Sequence, residues 1–580
     1  YLADALERIT GKEDPLVALA AAVCCRATMN GHVCADLEST VATPLVDESG
    51  EPIPGAAWPD LQKWLGALES SKLVTDGASP SPLVLEDNRL LYLGRYWDLE
   101  RRLVGEIKAR AEEAPDPPDE SLLRQGLQRL FKSTGDEPDW QKASAVAALL
   151  NNFTVISGGP GTGKTRTTVI ILALLIEQAL EAGTPLPLID LVAPTGKAAM
   201  RLSQSIAGLS RDIDPEVHTI HRLLGMRQDG RSFKHGPDMP IPTDLLVVDE
   251  ASMIDLPMMH RLLLALPNTT RLILLGDPNQ LPSVDTGNVL ADLCFGDSGF
   301  SRDFAHQAEN LVDEVPISAK PSKLTDAVCE LNRSYRFTDS SSIGVLAKAI
   351  EKGETSLAAS DDGTVTVSNS YDPGRLLEYW QDYLALLQSG GAEASHLLQM
   401  FERTRILCSR RGGTPGVKTI NSAIESALED MSLKAPDEDF YPGRPILVTR
   451  NDYNLGLFNG DIGICIFTEA EGQYLVHFPD GRKFLASRLP THETCFAMTV
   501  HKAQGSEFED VVLILAEEAS PRVDRLMNRE LLYTAVTRAK SSISVIGDPM
   551  SWQRATERSA ARTSGMIRFF QLEKSALEQD

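Results

Sequence analysis

From about residue 140 onward the chain alternates short apolar runs with longer stretches whose apolar positions recur at helical spacing. The runs fall at residues 153–157, 189–193, 245–248 and 272–276, and a second series follows at 405–409, 511–515 and 543–547. Runs this short that stay apolar on consecutive positions predict strands buried on both faces. Their alternation with helices predicts parallel sheets wound on both sides, and two series predict two sheets. Residues 445–495 break this rhythm. They are rich in β-branched residues and carry Asn459-Gly460 and Asp480-Gly481. Such pairs suit hairpin turns, so a small antiparallel, barrel-like insertion is predicted within the second α/β domain. Residues 1–110 read as mainly helical, with an apolar run at 16–23 and one strand-like stretch at 90–93. They are followed at 112–120 by EEAPDPPDE, three prolines and five acids without a base, which is a linker composition. The predicted organisation is a helical domain over 1–110, a linker over 111–135, and α/β domains over 136–360 and 361–580.

Composition changes this picture little. A chain of 580 residues has room for three or more domains, each with its own core. No run of ~18 apolar residues exists, so no membrane span is predicted. The chain opens on Tyr1 without a basic-then-apolar leader, which leads us to expect a native start elsewhere and a cytoplasmic location. The eight cysteines are scattered without a CxxC pair, arguing against a disulfide framework. Cys24, Cys25, His32 and Cys34 lie near one another in sequence, but their spacing fits no common metal site. The formal net charge of −25 lacks the basic excess that many nucleic-acid binders carry, which does not by itself reject nucleic acid. It leaves room for a narrow, locally basic channel, and it hints at a partner that delivers nucleic acid or docks on an acidic surface.

The strongest chemical signal is GGPGTGKT, from Gly158 to Thr165, placed after one predicted strand and before a helix running to about Gly183. Gly158, Gly159, Gly161 and Gly163, with Pro160 and Thr162 between them, let backbone N–H groups converge on phosphates. Lys164 reaches the β- and γ-phosphates, and Thr165 offers a hydroxyl to Mg²⁺. A chance match in a chain of this length has a probability of about 0.02. After another apolar strand come Asp249, a metal ligand by type, and Glu250, placed to polarise an attacking water. These residues predict hydrolysis of a nucleoside triphosphate, with ATP and Mg²⁺ as cofactors. They do not say what the hydrolysis drives.

Other motifs narrow the class. Gln141 stands just upstream of the glycine-rich loop, and its amide offers both the donor and the acceptor that suit an adenine edge. APTGKAA (193–199), TIHRLLG (219–225), GDPNQL (276–281), SYRF (334–337), TVHKAQGSEF (499–508) and YTAVTRA (533–539) follow in order. In sequence and spacing these resemble the motifs of superfamily 1 helicases. Residues 454–463, APTGKAAMRL, the stretch 247–259, Gly31-His32-Val33-Cys34 and residues 91–97 are similar to the RecD family within it.

The resemblance implies two RecA-like P-loop domains and ATP-driven 5′-to-3′ movement on single-stranded DNA from duplex ends. It implies a heterotrimer with RecB-like and RecC-like subunits, with no nuclease in this chain. It assigns Lys164, Glu250, Gln280, Arg336 and Arg538 to catalysis, and Arg166 and Glu507 to the nucleotide beside the loop and Gln141. Thr195, Lys197, His221, Thr499, His501 and Gln504 are assigned to DNA. GDPNQ departs from the family pattern at its middle position. A non-catalytic scaffold, an RNA helicase and a stand-alone RecD-like helicase are the alternatives, and the presence of Lys164, Glu250, Gln280 and Arg538 argues against the first. Residues 1–110 carry no nucleotide or strand-binding motif and are expected either to dock partners or to stabilise the motor. Asp229-Gly230 predicts a hairpin insertion near 226–243, either a strand-separating wedge or a plain surface loop. In the wedge reading Arg227, Arg231 and Lys234 meet phosphates and Phe233 stacks on a base.

Overall fold

The computed structural model describes residues 14–47, 52–131, 138–206, 216–227, 229–337, 341–389, 393–452, 454–468, 472–516 and 526–571. Near the N-terminus the helices Pro15–Met29, Leu37–Ala42, Leu61–Ser70 and Gly94–Glu112 flank a small sheet. Its strands β1 (Cys34–Asp36), β2 (Val74–Thr75), β3 (Leu83–Glu86) and β4 (Leu90–Leu93) are ordered β1-β4-β3-β2. The region is mainly helical, as expected. Only β4 was legible beforehand, because strands of two to four residues are too short to show a period. Asp14, Asp36 and Asp60 each start a helix by accepting from its first-turn amides.

The first series of apolar runs forms β5 (Phe153–Ser157), β6 (Ile189–Ala193), β7 (Glu216–Thr219), β8 (Leu245–Val248), β9 (Arg271–Gly276) and β10 (Val328–Glu330). They pair in the order β10-β5-β9-β8-β6-β7, every neighbour parallel. Alternation sorts the side chains. Phe153, Val155, Leu246, Val248, Leu272 and Leu274 enter one core, while Ile156, Leu245, Val247, Ile273 and Leu275 enter the core on the opposite face. The edge strands β7 and β10 were not anticipated. β7 reads Glu-Val-His-Thr and is only partly covered, and β10 has three residues, so neither shows a buried run.

The second series forms β12 (Thr404–Cys408), β19 (Phe508–Ile514) and β20 (Ala539–Ile546), and the sheet is completed by β11 (Val365–Ser368) and β18 (Ala497–Thr499), which the apolar runs did not include. The order is β11-β20-β19-β12-β18, again all parallel. Between β12 and β18 the chain inserts an antiparallel sheet of β13 (Pro445–Val448), β14 (Ile462–Thr468), β15 (Gln473–His477), β16 (Lys483–Leu485) and β17 (His492–Thr494). The two NG/DG turns fall between its strands, with Gly460 at φ 101° and Gly481 at φ 84°. The fold class is thus two doubly covered parallel sheets, with a small antiparallel insertion in the second.

The chain divides into two compact units. One contains the described residues up to Pro278, Pro282–Tyr335 and those from Ala561 onward. The other contains Asn279–Leu281 and Arg336–Ala560. These borders differ from those drawn from the sequence. The crossing comes at Arg336, ahead of residue 360, because the helix Ser342–Lys352 packs on the helix Arg529–Val536 of the second unit. The last described residues return to the first unit, where Met566 and Phe570 join its core. Nor does the linker composition after residue 111 mark a break in packing on its N-terminal side. Val33, Val84, Tyr92, Leu103 and Ile107 share one core with β5, β6, β8 and β9. The buried Arg110 guanidinium also donates to the carbonyls of Leu263, Leu266 and Pro267.

Candidate nucleotide site

The strand β5 ends in the loop that the glycines make possible. Gly161 and Gly163 lie at φ 80° and 90°, a region that side-chain-bearing residues avoid. At Gly163 a Cβ would also come 2.1 Å from Gln141 Nε2. The loop is tied to the sheet where Gly158 N–H donates to Gly276 O (3.2 Å), and it closes on itself where Thr162 Oγ1 donates to Gly159 O (2.8 Å). Lys164 begins the helix Lys164–Ala182, and its ammonium donates to the carbonyls of Gly158 and Gly159. Thr165 is half-buried and Arg166 exposed in the same first turn. The lysine therefore sits inside the loop at a helix N-terminus, where amides and ammonium together favour a phosphate. Gln141, expected at the adenine, is buried and donates from Nε2 to Thr162 O (2.8 Å), so it also braces the loop.

The acid pair follows β8, two strands from β5 in the sheet. Burial, and then the neighbouring Glu250, push the Asp249 carboxyl above its ordinary range, against the pull of the Glu250 N–H and of Lys164. That N–H donates to Asp249 Oδ1 at 2.8 Å. Glu250 itself has φ 52° and ψ 41°, a left-handed conformation that costs a non-glycine residue about 1–3 kcal/mol. This conformation turns the chain at once from the strand into the short helix Ala251–Met253. Sequence reasoning passed over Asp277, buried just after β9; its signal was the single acid of GDPNQ.

Of the residues expected to meet DNA, three lie in the first unit. Thr195 caps the helix Gly196–Ile206 by accepting from Ala198 N–H, and Lys197 stands half-exposed in its first turn. His221 is half-buried in the helix Ile220–Leu223, and burial lowers its basicity. The hairpin exists: Met226 pairs with Phe233, Arg227 N–H donates to Ser232 O (2.9 Å), and Asp229 gathers the amides of Arg231 and Ser232 at the tip. Gln228 lies outside the described residues. Arg227, Arg231 and Lys234 are exposed, but Phe233 is not the open stacking platform expected of it. Its ring is half-buried, 6.1 Å from that of His221, with the Arg261 guanidinium 4.5 Å over it.

The remaining motif residues gather in the second unit. Leu281 N–H donates to Thr534 Oγ1 (2.8 Å), and Leu281 O accepts from Gln504 Nε2 (3.0 Å), so Gln280 lies beside a segment held by two motifs. Asn279 Nδ2 donates to Glu351 (2.7 Å). Thr534 and Glu351 were not singled out beforehand. Arg336 pairs with Glu507 at 2.7 Å. Arg538 is buried, donating to Thr534 O and Ser506 O, both at 3.1 Å. Thr499 Oγ1 accepts from Lys502 N–H, and burial lowers the basicity of the half-buried His501.

Comparison with known proteins agrees with this arrangement. Residues 1–92 match the model of the RecBCD enzyme subunit RecD N-terminal domain, 141–286 an AAA domain, and 494–546 a UvrD-like helicase C-terminal domain. The chain is 37% identical to the RecBCD enzyme subunit RecD of Mycobacterium tuberculosis, over 98% of this chain and 93% of that one. It is 38% identical to the RecD subunit of Mycolicibacterium smegmatis, over 98% and 96%. The chain belongs to the RecD family. Within that setting the ATP-dependent RecD2 DNA helicase of Deinococcus radiodurans is a more partial match, 30% identical over 74% of this chain and 52% of that protein. The RecD-type N-terminal domain thus lies on the part of the chain that carries no nucleotide motif.

Proposed function

We propose that this RecD-family chain is the ATP-dependent DNA helicase subunit of a RecBCD-type helicase–nuclease acting in double-strand break repair and recombination. Movement is 5′ to 3′ along single-stranded DNA from duplex ends, in a heterotrimer with RecB-like and RecC-like subunits, in the cytoplasm. The observation that carries ATP turnover is the loop of Gly158–Gly163 closed by Lys164, with the half-buried Asp249 and the strained Glu250, and its coupling to DNA is supported by the likeness to RecD subunits over 98% of this chain. Lys164 binds the phosphates, Gln141 reads the base, and Arg166 and Glu507 line the nucleotide. Glu250 takes the proton of the attacking water. A half-buried Asp249 whose charge is disfavoured fits a cation, and Thr165 and Asp249 are the residues that would hold Mg²⁺. Bound there, the ion would neutralise charge on the phosphates. Gln280, Arg336 and Arg538 act in turnover, while Thr195, Lys197, His221, Thr499, His501 and Gln504 grip the strand. Residues 1–110 offer the docking surface for partners.

The test is Lys164→Ala. DNA-stimulated ATP hydrolysis is expected to vanish, with the circular dichroism spectrum unchanged. Hydrolysis near the wild-type rate would refute the reading.

A further inference from the structure

The loop that follows Gln280 is fastened by both ends of the chain. From the C-terminal side, Arg562 Nη1 donates to Gly287 O (2.8 Å), to Ser283 Oγ (3.2 Å) and to Asp285 O, while Nη2 donates to Ser283 O. From the N-terminal side, Gly287 N–H donates to Gly31 O (2.9 Å) and Thr286 Oγ1 to Thr28 O (3.3 Å). The two ends also hold each other: Thr563 N–H donates to His32 Nδ1 (2.9 Å) and Val33 N–H to Thr563 O (2.8 Å). The fit is close at Gly31, which has φ 88° and where a Cβ would lie 2.6 Å from Arg562 Cζ. Gly31-His32-Val33-Cys34, which the nucleotide chemistry left without a role, is therefore one side of this seam.

A planar guanidinium offers several donors in fixed directions, so one side chain can hold several carbonyls of a short loop in a single arrangement. What it holds adjoins the segment whose Leu281 is bonded by Thr534 and Gln504. A segment bonded beyond both ends passes a displacement on; one whose far side is loose absorbs it in the loop. We infer that Arg562 and the 31–34 turn are positioning elements for the segment that carries Gln280, and that DNA-dependent ATP turnover requires them. The inference rests on the helicase reading above.

The test uses the full chain, ATP, and a thymidine homo-oligomer as the single strand. Arg562→Ala is expected to lower the DNA-stimulated kcat on the order of 10- to 100-fold, the scale on which misplaced groups act. The KM for ATP stays unchanged, and Arg562→Lys restores part of the loss. A merely structural arginine would lower the Tm but leave kcat per folded molecule and the stimulation by DNA at wild-type values, and that result overturns the inference. If Arg562→Ala does not fold, Thr286→Val decides, since it removes one hydroxyl and keeps the volume. A smaller loss of DNA stimulation supports the inference, and wild-type stimulation refutes it. Failure of the helicase reading is distinguishable, because the wild-type chain would then show no stimulation by DNA at all.

Discussion

Replacing Arg110 by Met tests how firmly the N-terminal region is built into the ATP-binding unit. The substitution keeps an apolar stem of similar reach and removes only the guanidinium. In the structure that group is fully buried; Nη2 donates to Leu263 O (3.2 Å), Leu266 O (3.1 Å) and Pro267 O (3.4 Å), and Nη1 pairs with Glu106 at 2.6 Å. The three carbonyls stand at the end of the helix Leu256–Leu264, where a cation is favourable. They share one nitrogen, so the loss amounts to one or two unsatisfied buried acceptors, at roughly 1–3 kcal/mol each. The Glu106 side chain is 28% exposed and can turn to water, which adds little. Nε already lacks a partner among the described residues, which moves the total toward the low end. The expected cost is about 2–4 kcal/mol. For a cooperative unit of this size that corresponds to a fall in Tm of roughly 3–6 °C. Calorimetry with and without ATP measures it, and limited proteolysis should cut within residues 94–112 sooner in the variant. A fall below about 2 °C, with proteolysis unchanged, would mean that the N-terminal region is a separable appendage.

Asp249→Asn should stabilise the ligand-free protein while abolishing ATP turnover. The carboxyl is raised from its ordinary 3.8, so the folded chain is penalised as pH rises through that raised value, and the amide removes the penalty. Thermal melts across pH check the sign; an unchanged or lower Tm at pH 7 would refute it. By the same titration, Mg²⁺-dependent nucleotide affinity in the wild type should fall as pH drops through the raised pKa. Arg538→Ala should reduce kcat by about 10³–10⁵-fold with little change in nucleotide affinity; weakened binding with an unslowed saturated enzyme would reassign the residue. Shortening the hairpin at Asp229-Gly230 should spare ATP hydrolysis and single-strand translocation but impair duplex unwinding in a fluorescent strand-displacement assay. Intact unwinding would leave it a surface loop.

The sequence by itself determined the parts of this protein whose chemistry is local. Phosphate loops need glycines at positive φ next to a strand and a lysine at a helix start, and that requirement is written in eight consecutive residues from Gly158. The central strands β5, β6, β8, β9, β12, β19 and β20 were legible because burial on both faces demands unbroken apolar runs. The edge strands β7, β10, β11 and β18, at three or four residues each, acquire their identity only from a neighbour. The tertiary structure alone decided that Phe233 packs on His221 and Arg261, that Glu250 takes a left-handed backbone, and that Asn279–Leu281 belongs with the second unit. It also decided that the N-terminal region shares a core with the ATP-binding sheet, and that Arg110 and Arg562 spend their donors on backbone carbonyls far away in the chain. The physical reason is that every residue carries a carbonyl. A side chain bonded to one 156 or 275 positions away leaves no mark in the composition or period of either segment, and only folding brings the pair together.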